Sequence, residues 1–201
     1  FKGHSDRIWT VSFSKDGQRV FTGSADGAVM LWDAQARSSP ESESVIILDG
    51  SSSVFSPDSR WLVRQSEKDI VFRDTRRRMD LMKLPSAATA DGPPCTPQDG
   101  WKSFNFSPGG DVFVTVGAPG FHVWRMTNGP PVHSLTVSNW AELRGRPIFS
   151  PTSNWMVLQR GSRELAIFDT VSWQEIRTVK EDLRGIASYA FSPTGHLLAV
   201  A

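Results

Sequence analysis

The residues able to do chemistry are few and scattered. Four histidines, His4, His122, His133 and His196, and one cysteine, Cys95, could ligate a metal, move a proton or act as a nucleophile, and the acidic residues that could join them sit mainly in turns and loops, where single carboxylates are solvated. Recognisable catalytic spacings are missing: there is no Gly-rich phosphate loop followed by Lys, no Gly-x-Ser-x-Gly, no His-Glu-x-x-His and no Cys-x-x-Cys. Gly117-Ala118-Pro119-Gly120 carries two glycines but lies between two β-rich runs and reads as a turn. An enzyme needs a base, a nucleophile and an orienting group converging on one pocket, and the spacing offers no such set. The expectation is a chain that is not an enzyme, with no catalytic residue, no metal and no cofactor. What remains is chemistry of grip. Arg76-Arg77-Arg78 is the strongest local cluster of charge, able to hold phosphate, RNA or an acidic peptide, or else to stand as a solvated rim.

These side chains sit on a repeated β-rich frame. From His4 to Asp33 the chain runs Ile8 to Phe13, turns at Lys15-Asp16-Gly17, runs Arg19 to Ser24, turns at Ala25-Asp26-Gly27 and runs Val29 to Trp32. Short Asp-Gly turns between β-rich runs join neighbouring antiparallel strands. A marker then recurs: Phe13-Ser14-Lys15-Asp16-Gly17, Phe55-Ser56-Pro57-Asp58-Ser59, Phe106-Ser107-Pro108-Gly109-Gly110, Phe149-Ser150-Pro151-Thr152-Ser153 and Phe191-Ser192-Pro193-Thr194-Gly195. Its spacings are 42, 51, 43 and 42 residues. Proline cannot donate to a ladder, so it is expected to end each strand. Second runs follow at Arg19 to Ser24, Arg60 to Gln65, Asp111 to Val116, Asn154 to Gln159 and His196 to Ala201, third runs at Ala28 to Asp33, Ile70 to Asp74, Phe121 to Arg125 and Leu165 to Asp169. Weaker fourth runs are predicted at Ser44 to Leu48, Met79 to Leu84, Val132 to Val137 and Trp173 to Val179.

The totals agree with a globular β protein. The 201 residues are 39% hydrophobic and 21% charged, with a net charge of +1 that removes a global argument for nucleic acid or an anionic membrane. No apolar run reaches the roughly 18 residues of a membrane helix. One cysteine forms no internal disulfide, and no signal-peptide pattern follows Phe1, so the expected compartment is intracellular, cytoplasmic or nuclear. Two connections, 34–43 and 85–100, are rich in Ser, Pro, Ala and polar residues and are predicted as mobile loops. Ser39-Pro40 in the first of them is a candidate phosphate acceptor, against the plainer reading of a solvated loop.

Gly3-His4 opening a unit of about 40 residues that closes on Trp32-Asp33 resembles the WD-repeat family. The resemblance implies an all-β fold, a β-propeller of four-stranded antiparallel blades, at about 4–48, 49–84, 100–137 and 143–179, with a half blade at 184–201. In that family a blade is pinned by a hydrogen-bonded chain that here falls on His4, Asp26, Thr22 and Trp32. A structural role for His4 is preferred to metal binding because His122, His133 and His196 fall on different blades. Later repeats depart from the pattern: Arg64, Glu67 and Arg73 in the second, Thr115, Ala118 and Trp124 with Pro97 near the histidine place in the third, Leu158, Ser162 and Phe168 in the fourth. Apolar packing is expected to hold those blades together.

The resemblance further implies a scaffold that docks protein or peptide partners on the face formed by the loops before the first strand and the turns between the second and third. Family contact positions fall on Arg7, Trp9 and Ala25 in the first repeat, with Trp101, Lys102 and Arg144 in or beside the matching places. Trp9 buried between blades is the competing reading. Nucleic-acid or phosphoinositide binding through Arg76, Arg77 and Arg78 is the alternative from another class, and a sensor segment of an NTPase-linked protein is a third. Asp74-Thr75-Arg76 also resembles the end of the motif by which some WD-repeat proteins act as cullin-ligase substrate receptors, although Arg73 stands in place of its tryptophan. Four and a half blades leave an apolar face open at each end, so the chain is expected to be part of a larger ring, seven-bladed by family habit, and to self-associate when expressed alone.

Overall fold

A computed structural model of the chain describes residues 3–34, 46–49, 53–66, 69–84, 101–117, 120–126, 131–137, 143–181 and 185–201, with the side chains of residues 9, 10, 46–49, 101, 102 and 144 excluded. Ser39, Glu67, Cys95, Pro97 and Ala118 lie outside the described residues, as does nearly all of both predicted loops. The chain forms two compact units, Phe1–Ser86 and Ala87–Ala201.

The first unit holds two four-stranded antiparallel sheets. Blade one is β1 (Ile8–Phe13), β2 (Arg19–Ser24), β3 (Ala28–Asp33) and β4 (Ile46–Asp49), hydrogen-bonded in chain order. Blade two is β5 (Ser53–Phe55), β6 (Trp61–Ser66), β7 (Asp69–Asp74) and β8 (Met79–Leu84). In the second unit, blade three is β9 (Trp101–Phe106), β10 (Val112–Gly117), β11 (Gly120–Arg125) and β12 (Val132–Val137). Blade four is β13 (Leu143–Phe149), β14 (Trp155–Arg160), β15 (Glu164–Asp169) and β16 (Glu175–Lys180). A two-stranded sheet, β17 (Tyr189–Phe191) with β18 (Leu198–Val200), makes a partial fifth. The fold is all-β, in four-stranded antiparallel blades, and no helix among the described residues is long and apolar enough to cross a membrane.

The marker serine is the joint of every hairpin between first and second strands. The Ser14, Ser56, Ser107, Ser150 and Ser192 hydroxyls each accept the N–H of the residue opening the second run, at 2.9 to 3.1 Å. Each serine carbonyl accepts the N–H three residues on, at 2.8 to 2.9 Å. Proline therefore occupies the second position of a tight turn, where its fixed φ fits, in addition to ending the strand. The fourth turn residue needs positive φ: glycine supplies it at Gly17, Gly110 and Gly195, whereas Ser59 and Ser153 adopt it at 59° each.

Blades pack face to face. In the first unit Phe55 and Leu62 of blade two press on Phe21, Val29 and Leu31 of blade one, with Phe21 and Phe55 ring centroids 5.4 Å apart. In the second, Phe149, Met156, Leu158, Ala166 and Phe168 of blade four meet Val114, Val116, Phe121 and Val123 of blade three. Alternate positions on each strand thus serve opposite faces, and where two blades meet both contributing faces are apolar. Innermost strands are also tied: Asn105 Nδ2 donates to Pro147 O at 2.9 Å, and Tyr189 Oη donates to Arg146 O at 3.3 Å. In blades two, three and four the pairing of third with fourth strand shifts register just before Arg73, Trp124 and Phe168, the places matching Trp32.

Candidate functional site

The richest polar geometry lies where the chain first enters blade one. Thr22 of β2 and Trp32 of β3 lie on the same face, two positions apart in register. Trp32 Nε1 donates to Thr22 Oγ1 at 2.8 Å, and His4 Nε2 lies 2.7 Å from the same oxygen. His4 Nδ1 lies 3.0 Å from Asp26 Oδ2. A carboxylate accepts only, so the imidazole proton sits on Nδ1; Nε2 then accepts from the Thr22 hydroxyl, whose oxygen accepts from the indole. Asp26 also accepts the Ser5 N–H and the Ala28 N–H, both at 2.9 Å. The Ser5 N–H, the Ala28 N–H and the imidazole hold its carboxyl at about 2, well below the usual range.

This network locks two backbone segments together. Ser24 Oγ donates to Asp6 O at 3.0 Å and Ala25 N donates to Arg7 O at 2.8 Å. Arg7 and Ala25 are thereby neighbours, and both are exposed. The backbone at Trp9 lies in β1, at Trp101 and Lys102 in β9 and at Arg144 in β13, and these four side chains lie outside the described part.

Blade two replaces the network with ions. Arg64, at the Thr22 place, and Arg73, at the Trp32 place, converge on Asp80 of β8: Arg64 Nη2 donates to Oδ2 and Arg73 Nη1 to Oδ1, each at 3.1 Å. The arginine side chains are 5% and 10% exposed, the aspartate 34%. Arg73 also donates to the Arg78 carbonyl. Asp80 was not singled out from sequence, although an acidic residue facing Arg73 across the next strand was the available signal.

Blade three keeps Thr115 with Trp124, whose indole donates at 3.0 Å. The expected placement of the histidines needs correction here. His122 and His133 share blade three, on β11 and β12, because alternation brings His122 opposite Thr136 and His133 opposite Trp124. Thr136 Oγ1 lies 3.0 Å from both His122 Nδ1 and His133 Nε2. Burial, followed by the nearby His133, lowers His122 to about 4, so it is neutral near pH 7. Blade four is apolar at these places: Leu158, Ala166 and Phe168 are fully buried.

Arg76, Arg77 and Arg78 are all exposed on the turn after β7. Asp74 Oδ1 accepts the N–H groups of Arg76 and Arg77 at 2.9 and 2.8 Å, so in Asp74-Thr75-Arg76 the aspartate shapes the turn. Asp169 does the same for Val171 and Ser172 in blade four. Among the described residues no group of three or more His, Cys, Asp or Glu is placed to hold a metal.

Comparison with known proteins agrees with this geometry. Residues 1–33 match the family described as WD domain, G-beta repeat. MST50-interacting protein 11 of Pyricularia oryzae is 31% identical over 94 residues, covering 45% of this chain and 28% of that protein. The β-propeller domain of Cps50 (Swd1) from Myceliophteria thermophila superposes with a TM-score of 0.71 at 15% identity, covering 98% of this chain and 62% of that one. The chain thus spans less than a third of the first relative and under two thirds of the second. Residues 1–33, the first three strands of blade one, are thus similar to a WD repeat, and the chain as a whole has the β-propeller fold.

Proposed function

We propose that this chain is a non-catalytic docking platform for protein or peptide partners, with the Arg7 and Ala25 corner of blade one as a contact surface. The observation that supports it is the bond from Ala25 N to Arg7 O at 2.8 Å, backed by Asp26 and His4. Two loop residues are held exposed on a frame that has little freedom to lose, which lowers the entropic cost of binding. A relative whose printed name describes an interacting protein points the same way. The test is co-purification from native extract with quantitative mass spectrometry. Arg7→Glu combined with Ala25→Arg should lose a defined set of proteins while the circular dichroism stays unchanged; an unaltered set would overturn the assignment.

A second reading is supported by one observation. The turn that presents Arg76, Arg77 and Arg78 is fixed by Asp74, so three cationic side chains are displayed together. Phosphate-driven retention on heparin would fall steeply between about 50 and 200 mM salt, whereas apolar docking would not.

A further inference from the structure

We propose that the second unit binds a small guanidino acid, free arginine or a close analogue, in a pocket between blades three and four. The pocket holds about 300 Å³, and its walls include Asp111, Val112, Arg125, Asn154, Thr170 and Trp173. That volume is at the small end for ligand pockets and suits one small molecule better than a length of peptide. The site is separate from the Arg7 corner and from the arginine turn of blade two.

The ligand is read from the first unit, where the same place is filled from within. Ser14 Oγ accepts the N–H of Arg19 in blade one and Ser107 Oγ accepts that of Val112 in blade three, so Arg19 and Val112 are equivalent. In blade two Thr75, next after the turn aspartate Asp74, donates its hydroxyl to Ser59 O and its N–H to Arg60 O. Thr170 of blade four follows Asp169 and donates in the same way to Ser153 O and Asn154 O. Between blades one and two the Arg19 guanidinium crosses over and donates to the Thr75 carbonyl. Between blades three and four valine cannot do so, and among the described residues the Thr170 carbonyl accepts no hydrogen bond. The place and its acceptor are kept while the guanidinium that filled them is gone.

The charges around the pocket fit the rest of such a ligand. Asp111 accepts from Ser107 Oγ through Oδ1 at 2.8 Å, which leaves Oδ2 for a cation. Trp173, 8% exposed, adds an aromatic wall on which a guanidinium can stack. Arg125, paired in register with Val112, is exposed and makes no ion pair among the described residues, so it is available to a carboxylate. A cation alone would meet Arg125 with nothing to offset the repulsion, whereas a molecule with a guanidinium at one end and a carboxylate at the other satisfies both charges.

The test is isothermal titration calorimetry of the full chain with arginine, agmatine, which lacks the carboxylate, and citrulline, which has a neutral urea in place of the guanidinium. Arginine is expected to saturate one site, with agmatine and citrulline each at least fivefold weaker. Val112→Arg restores the internal guanidinium of the first unit and should weaken arginine at least tenfold with the near-ultraviolet circular dichroism retained. Asp111→Asn, which keeps the acceptor for Ser107 Oγ, should weaken it at least fivefold and decides the matter if Val112→Arg does not fold. Arg125→Ala should bring arginine and agmatine to within twofold of each other. Absence of saturation, citrulline binding as tightly as arginine, or binding indifferent to both Val112→Arg and Asp111→Asn would overturn the proposal. A Gly-Gly-Arg-Gly-Gly amide binding as tightly as free arginine would overturn it too, assigning the pocket to a peptide side chain.

Discussion

At the scale of single residues, Thr22 carries the greatest consequence. Its hydroxyl is the junction between Trp32 and His4, and the indole donor behind it is buried. Thr22→Val keeps the shape and strands that donor, so a loss of about 1 to 3 kcal/mol is expected in urea denaturation followed by tryptophan fluorescence. Titration gives a second expectation. With His122 lowered to about 4, the unfolded chain binds a proton that the folded chain refuses between pH 6.5 and 4. Stability from this group is full above about pH 6.5 and is lost as pH falls toward 4, by up to about 3 kcal/mol. A melting-temperature series should show that fall, and His122→Asn should flatten it. Asp26 acts lower, its stabilisation present above the ordinary carboxylate range and lost as pH drops toward about 2. The blade-one residues were legible in the sequence because Gly-His, Ser-Ala-Asp-Gly and Trp-Asp stand at fixed offsets. Asp80 and the Thr136 bridge were not, because cross-strand partners depend on register, which a single sequence leaves open until the hairpins are closed.

At the scale of elements, each blade solves the same packing problem with different chemistry. Blade one uses a neutral and ionic relay, blade two a shared aspartate, blade three a threonine between imidazoles, and blade four apolar side chains alone. Blade two is the most exposed to damage, because removing Asp80 leaves two buried guanidiniums without their common counter-ion. Asp80→Ala should cost about 3 to 5 kcal/mol by chemical denaturation, while Lys83→Ala on the same strand should cost under about 0.5 kcal/mol. The serine-jointed hairpins give a subtler contrast. At Gly17 a Cβ would meet nothing within 4 Å, yet φ is 68°, so Gly17→Ala should cost about 1 kcal/mol through backbone strain alone. Ser153 already adopts positive φ, so Ser153→Gly should be neutral or stabilising in the same assay. Strand positions were readable from the five Phe-Ser markers to within about two residues. The serine's role as a joint was not, because its recurrence marks the turn without saying which backbone N–H the hydroxyl accepts once the hairpin closes.

At the scale of the molecule, the apolar surface shows where further contact is expected. The marker phenylalanine is covered in blades two and four, 8% exposed at both Phe55 and Phe149, but Phe13 of blade one is 64% exposed, beside Val11 at 58% and Ile8 at 49%. Contiguous apolar surface of this kind drives association. Size-exclusion chromatography of the chain alone should show self-association, and Val11→Thr with Phe13→Ser should reduce it. The repeat made the fold visible in the sequence; the partner was not visible, since docking uses exposed side chains on which the repeat places no demand. The most direct test of the docking account is site-specific photo-crosslinking in native extract, with benzoylphenylalanine placed in turn at Ala25, at Arg77 and at Val171, which is 86% exposed. The account predicts discrete protein adducts from Ala25 and none from Val171. Adducts of equal yield at all three positions, or adducts to nucleic acid from Arg77 with none from Ala25, would contradict it.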